Sequence, residues 1–185
     1  SRWTPIAYPV ACSVCEPLTS KPGTPASETV GRSGYACERC FAVTAIDASE
    51  SRLARLRENL GRTGLEASIL SADVMKWQPA EPMDAILLDA PCSATGIFRR
   101  HPDILHRVRP RVVAELAEGQ KAMLARAADW LKPGGTLIYS VCSLEPEEGE
   151  KIVEAFLASR ADYALAPIEP GEVPPEMRPN NGILR

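Results

Sequence analysis

The sequence predicts an α/β fold built on a parallel sheet, and three observations carry that expectation. From Phe41 onward, short β-rich runs alternate with helix-like segments across brief connections, the pattern of parallel strands joined by crossover helices. Asp47, Asp73 and Asp89 recur at or just beyond the ends of successive strand candidates. The run Ala85-Ile86-Leu87-Leu88 is apolar throughout, as expected of a strand covered on both faces.

Composition supports one ordinary globular body. The 185 residues are 45% hydrophobic and 24% charged with a formal net charge of -3, enough chain to bury a core without disulfides or metal. No apolar run approaches the ~20 residues of a membrane helix, and Ser1-Arg2-Trp3-Thr4 does not open a signal peptide, so the chain reads as a soluble, cytoplasmic protein without a membrane partner. Its first and last residues, Ser1 and Arg185, read as the ends of a fragment of a longer protein, although processing would give the same ends. The mildly acidic balance exerts no global pull on nucleic acid, so any such binding must come from a local patch.

Taken in order, residues 1–40 show no sustained apolar period of 2 or 3.6 and read as an atypical irregular segment; residues 41–185 read as the folded body. Phe41 to Ile46 is a strand candidate ending at Asp47. Ser49 is placed to cap the next helix, where Leu53, Leu56 and Leu60 face inward, Arg52, Arg55, Arg57 and Glu58 take the wet side, and Gly61 or Gly64 stops it. Ala67 to Leu70 is a second strand candidate and Ala85 to Leu88 a third. A long helix is expected from Val112 to Leu131, closed by Lys132-Pro133-Gly134-Gly135. Thr136 to Val141 makes the next strand, and Glu147 to Ser159 an amphipathic helix with Ile152, Val153, Phe156 and Leu157 inward.

Ligands of open parallel sheets sit outside the carboxyl ends of the strands, so acids at those ends suit a nucleoside cofactor. Singly, each is as readily a turn former or helix cap. Two cysteines stand at two such ends, Cys92 in Asp89-Ala90-Pro91-Cys92-Ser93-Ala94-Thr95-Gly96 and Cys142 in Tyr139-Ser140-Val141-Cys142-Ser143. A thiol in an apolar strand is usually a small buried hydrophobe, but Cys92 follows a proline in a loop of small residues. Paired there, the thiols could form a redox couple, bind metal, or act as nucleophile and base. Arg99, Arg100, His101, Arg107, Arg109 and Arg111 follow the Cys92 loop with Asp103 the only acid among them, either a solvated surface or a local phosphate-binding patch.

The stretches Asp89 to Ile104 and Leu131 to Glu148, with Asp-Ala-Pro-Cys-Ser in the first and a strand-end Cys-Ser in the second, resemble the Sun-type RNA cytosine-5 methyltransferases. The match is to the bacterial branch of that family that acts on 16S rRNA. The resemblance implies a Rossmann-like class I methyltransferase sheet that uses S-adenosylmethionine and takes RNA, 16S rRNA, as its partner. It implies Cys142 as the nucleophile that adds to C6 of cytosine and Cys92 as the group that helps release the product. Asp47 and Asp73 would hold ribose and adenine. Asp89 would contact the cytosine edge or the reacting end of the cofactor, Pro91 would shape the loop, and Arg99, Arg100 and His101 would meet RNA. Covalent addition at C6 makes C5 enamine-like, which explains the need for a thiol. The target base must be unpaired or flipped out.

The chain departs from the family pattern ahead of Asp47. A first strand and a Gly-rich loop of the type Asp-x-Cys-Ala-Ala-Pro-Gly-Gly-Lys-Thr are not recognisable there, which makes the expected sheet incomplete; an origin of residues 1–40 in another reading frame would account for this. The same segment holds Cys12-x-x-Cys15 and Cys37-x-x-Cys40, four thiols that could close a zinc site, although the spacer from 16 through 36 is longer than usual. The competing functional reading is a noncatalytic RNA-binding or zinc-binding remnant of the family.

Overall fold

The structure, a computed structural model, describes residues 6–11 and 42–166. Cys12, Cys15, Cys37 and Cys40, and with them the zinc reading, lie outside the described residues. The chain forms two compact units, the first from residues 1–91 and 122–141, the second from 92–121 and 142–185.

The first unit carries a five-stranded sheet: β1 (Ile6–Ala11), β2 (Ala42–Asp47), β3 (Ser68–Ser71), β4 (Met83–Asp89) and β5 (Leu131–Ser140), in the order β3-β2-β1-β4-β5. β2 pairs with β3 and β4 with β5 in parallel, so the α/β expectation holds for these four strands. The fold differs from expectation at residues 6–11. This part of the segment read as irregular is a strand at the centre of the sheet, antiparallel to both β2 and β4. Pro9 explains why it escapes a pattern search, because a residue without an N–H argues against a central strand. Its place follows from the facing edges of β2 and β4, whose backbone groups need partners. Because β1 runs against its neighbours, its first residue, Ile6, stands in register with both Asp47 and Asp89.

α1 (Glu50–Thr63) packs on β2 and β3 through Leu53, which is fully buried. It ends where Gly64 takes a left-handed conformation, φ 70°, and donates its N–H to the Leu60 carbonyl. Ser49 holds the N-cap position, yet its hydroxyl meets Ser51 Oγ instead of a helix N–H. The sheet's core includes Ile46, Ile86, Leu88 and Trp130, with Trp77 edge-on to Trp130 at 5.1 Å between ring centres. The Lys132-Pro133-Gly134-Gly135 stretch lies inside β5, where the pairing with β4 shifts register between Met83 and Ala85. Gly134 is left-handed there, φ 81°, and a Cβ on Gly135 would stand 2.9 Å from the Asp84 carbonyl oxygen.

In the second unit a 3-10 turn (Thr95–Ile97) leads to the short α2 (Ile104–Arg107). α3 spans Pro110–Ala128, two residues earlier than expected at its start and three at its end, and its residues 122–128 belong to the first unit. Val113, Ala117, Gln120, Leu124 and Ala127 form its buried stripe at helical spacing. α4 (Glu150–Ser159) begins after a turn over residues 146–149 and buries Ile152 completely.

Candidate active site

Parallel pairing puts the carboxyl ends of β2, β3, β4 and β5 along one edge of the sheet. Asp47 and Asp89 each lie one strand away from Ile6, so their Cα atoms are separated by two strand spacings, about 10 Å. Asp47 is buried and already engaged. Arg52 donates from Nε to Oδ2 and from Nη2 to Oδ1, each at 2.7 Å, and the Ser49 N–H donates to Oδ1 at 2.7 Å. Arg52, expected on the wet face of α1, is therefore drawn back onto the strand end. Asp73 is exposed two residues beyond β3 and accepts the Met75 N–H at 2.9 Å, the arrangement of a turn former. Asp89 is half-buried, and burial pushes its carboxyl above the ordinary range. Pro91 is half-buried at the end of the first unit.

The second unit begins at Cys92, and here the two cysteine segments meet. Cys92 Sγ and Cys142 Sγ are 3.3 Å apart, Cys142 exposed and Cys92 half-buried. Asp89 pairs with Ser140, so the two loops start from the same level of adjacent strands. Within the second unit, Gly96 N–H donates to the Cys142 carbonyl at 3.0 Å. A Cβ on Gly96 would stand 3.0 Å from that same oxygen. Burial, followed by the hydrogen bond and charge of Cys142, pushes the Cys92 thiol up to about 12. Cys92 therefore keeps its proton near neutrality, and either sulfur can donate in the pair.

Four further residues join this cluster that the sequence reading did not single out: Ser93, Ser143, Gln120 and Glu148. Glu148 is fully buried, and its carboxylate accepts the Ser93 N–H at 2.9 Å, the Ser143 hydroxyl at 2.6 Å, the Gln120 amide at 3.1 Å and the Ser93 hydroxyl. Thr95 Oγ1 lies 3.2 Å from Ser143 Oγ and accepts the Leu144 N–H at 2.8 Å. The one available signal was the repetition of Cys-Ser at two strand ends. Glu148 itself is hidden beside Glu147, which lies in the same turn and forms an ordinary exposed pair with Lys151 of α4.

The basic run divides. Arg107 pairs with Asp103, Arg111 with Glu115, and Arg109 donates to the His106 and Val108 carbonyls. Arg99, Arg100 and His101 are exposed, and among the described residues no acid pairs with either arginine. No group of His, Cys, Asp and Glu among the described residues is arranged to hold a metal ion.

Comparison with known proteins agrees with the resemblance read from the motifs. The 16S rRNA methyltransferase RsmB/F family model matches residues 34–178. Ribosomal RNA small subunit methyltransferase B of Klebsiella pneumoniae is 46% identical over 137 residues, 70% of this chain and 32% of that protein. Its namesake in Vibrio cholerae is 44% identical over 147 residues, 77% of this chain and 34% of that protein. The chain thus spans about a third of the length of the curated relatives it matches. Among solved structures, NSun6 from Pyrococcus horikoshii with SFG is similar with a TM-score of 0.57 at 32% identity, over 63% of this chain and 30% of that one. A match that takes in both cysteine loops and all three strand-end carboxylates means that this chain belongs to the 16S rRNA methyltransferase RsmB/F family.

Proposed function

We propose that the chain is the catalytic part of an S-adenosylmethionine-dependent RNA cytosine-5 methyltransferase acting on 16S rRNA, with Cys142 as nucleophile and Cys92 as its partner. The observation that carries this reading is the 3.3 Å contact between the two sulfurs, in a family whose members are named rRNA methyltransferases. Two thiols at this separation can both reach one pyrimidine ring. Cys142 is the exposed one and attacks C6, which turns C5 into a carbon nucleophile. S-adenosylmethionine, when bound, supplies the methyl group. The C5 proton must then leave so that the Cys142–C6 bond can break. Bonding of Cys142 to carbon removes the charge and the acceptor that help keep Cys92 protonated. That eases Cys92 toward the thiolate at the stage when a base is needed.

The strand-end acids fit the adenosine part of the cofactor in kind. Asp73 and Asp89 offer acceptors, and Asp47 can take ribose hydroxyls once Arg52 yields an oxygen. Asp89 is the acid for the cytosine edge or the reacting end of the cofactor, and Pro91 shapes the loop between it and Cys92. Arg99, Arg100 and His101 meet RNA phosphates.

The test is methyl transfer from labelled S-adenosylmethionine to a 16S rRNA transcript. Cys142→Ala abolishes transfer, and Cys92→Ala accumulates a protein–RNA adduct on a denaturing gel. Unchanged turnover in both variants overturns the proposal. A second reading, a noncatalytic RNA-binding remnant, draws on the Arg52 clamp on Asp47 and the unrecognised Gly-rich loop. Calorimetry with S-adenosylmethionine separates the two: millimolar or absent binding favours the remnant.

A further inference from the structure

Glu148 lies in the turn before α4 and is a fully buried acid of the second unit. Taking a carboxylate out of water is costly unless its oxygens are hydrogen-bonded. Here the donors come from separate segments: Ser93 with its N–H and hydroxyl, Ser143 with its hydroxyl, and Gln120 on α3 with its amide. Both serines directly follow the reactive cysteines. Ser143 Oγ also stands 3.1 Å from Ser93 Oγ and accepts the Glu145 N–H at 3.1 Å. One side chain therefore ties the two loops to each other a residue away from each sulfur.

We infer that Glu148 is a positioning residue that holds the Cys92 and Cys142 loops at thiol contact distance by gathering Ser93, Ser143 and Gln120 around its carboxylate. An apolar side chain of similar size would fill the space without fixing either loop, because dispersion has no direction and hydrogen bonds do. The separation of the sulfurs, 3.3 Å, is what the carboxylate sets. The functional meaning of that separation rests on the reading of Cys142 and Cys92 given above, whereas the positioning itself does not.

The experiment measures how close the thiols are held, without RNA or cofactor. The full 185-residue chain is equilibrated in glutathione buffers, in which the dithiol and one oxidised glutathione give the protein disulfide and two reduced glutathiones. The Cys92–Cys142 linkage is quantified by peptide mass mapping, with Cys12, Cys15, Cys37 and Cys40 scored separately. Glu148→Ala lowers the effective concentration of the pair by about tenfold or more. Glu148→Gln, which keeps an oxygen toward Ser93 N–H and Gln120, lowers it by about threefold and serves if the alanine variant does not fold. Ile152→Ala, a cavity at a fully buried α4 position, lowers the melting temperature but leaves the effective concentration within about twofold. The inference is overturned if the Glu148 variants stay within twofold of the parent, or if Ile152→Ala loses as much as Glu148→Ala. Methyl transfer surviving in Cys142→Ala would instead overturn the functional reading and leave this one intact.

Discussion

Cys92 Sγ and Cys142 Sγ lie 3.3 Å apart although fifty residues separate them in the chain. The two sulfurs are not equivalent. Cys142 is exposed, while Cys92 is half-buried and holds its proton to about pH 12. At pH 8 the thiolate fraction of Cys92 is on the order of one in ten thousand. Iodoacetamide is therefore expected to label Cys142 at least about tenfold faster than Cys92, as read by peptide mass mapping. Equal labelling rates would contradict the asymmetry.

The same shift sets a direction for stability against pH. The thiol is raised in the folded state from an ordinary value of 9.0, so the folded chain keeps a proton that the unfolded chain loses. The contribution is fully present below pH 9.0 and is lost as pH rises toward about 12. The urea midpoint of the parent should fall more steeply between pH 8 and pH 11 than that of Cys92→Ser. Parallel profiles would show that the cysteine adds nothing to the dependence.

Gly96 sits where the two loops come close, since its added Cβ would meet the Cys142 carbonyl oxygen at 3.0 Å. Gly96→Ala is expected to cost about 1–3 kcal/mol as overpacking against backbone and to push the sulfurs apart, which in the proposed reaction slows methyl transfer. Chemical denaturation and single-turnover rates measure the two effects. A variant with parental stability and rate would mean that the neighbouring loop yields freely.

Arg52 neutralises a carboxylate that is only 2% exposed, through two bonds of 2.7 Å. Arg52→Ala leaves that charge buried and is expected to destabilise the chain by about 2–3 kcal/mol, below the full cost of a buried pair because the arginine is partly exposed. Adding Asp47→Asn should restore part of the loss. Denaturant midpoints of the single and double variants give the coupling, and purely additive losses would argue against the pair.

Arg99 and Arg100 have no acidic partner among the described residues, unlike Arg107 and Arg111. If they meet phosphates, the Arg99→Ala/Arg100→Ala variant should weaken RNA binding and lower the salt slope of log K by about 1.4. Arg111→Ala should leave that slope nearly unchanged. Identical slopes for parent and double variant would remove these arginines from the RNA surface.

Much of this arrangement is legible without coordinates. The alternation from Phe41 onward yields β2, β3, β4, α1, α3 and α4 to within about three residues, while β5 begins five residues before the expected Thr136 and α2 is not anticipated; the twin Cys-Ser segments stand out as residue types at strand ends. What escapes a linear reading depends on partners distant in the chain. Ile6–Ala11 becomes a strand because β2 and β4 both border it, and no local period announces that. α3 ends at Ala128, and Leu131 opens β5 opposite Met83.

Glu147 and Glu148 show the limit most plainly. They are the same residue type side by side, yet one is solvated beside Lys151 and the other is sealed among Ser93, Ser143 and Gln120. The alternating elements, the acids at strand ends and the two cysteine loops can be read from the linear chain, because they depend on local periodicity and residue chemistry. Which acid is buried, which oxygens Arg52 occupies and how close the two sulfurs come emerge once the chain is folded. Those outcomes depend on side-chain positions in space, from Arg52 five residues beyond Asp47 to two sulfurs fifty residues apart in the chain.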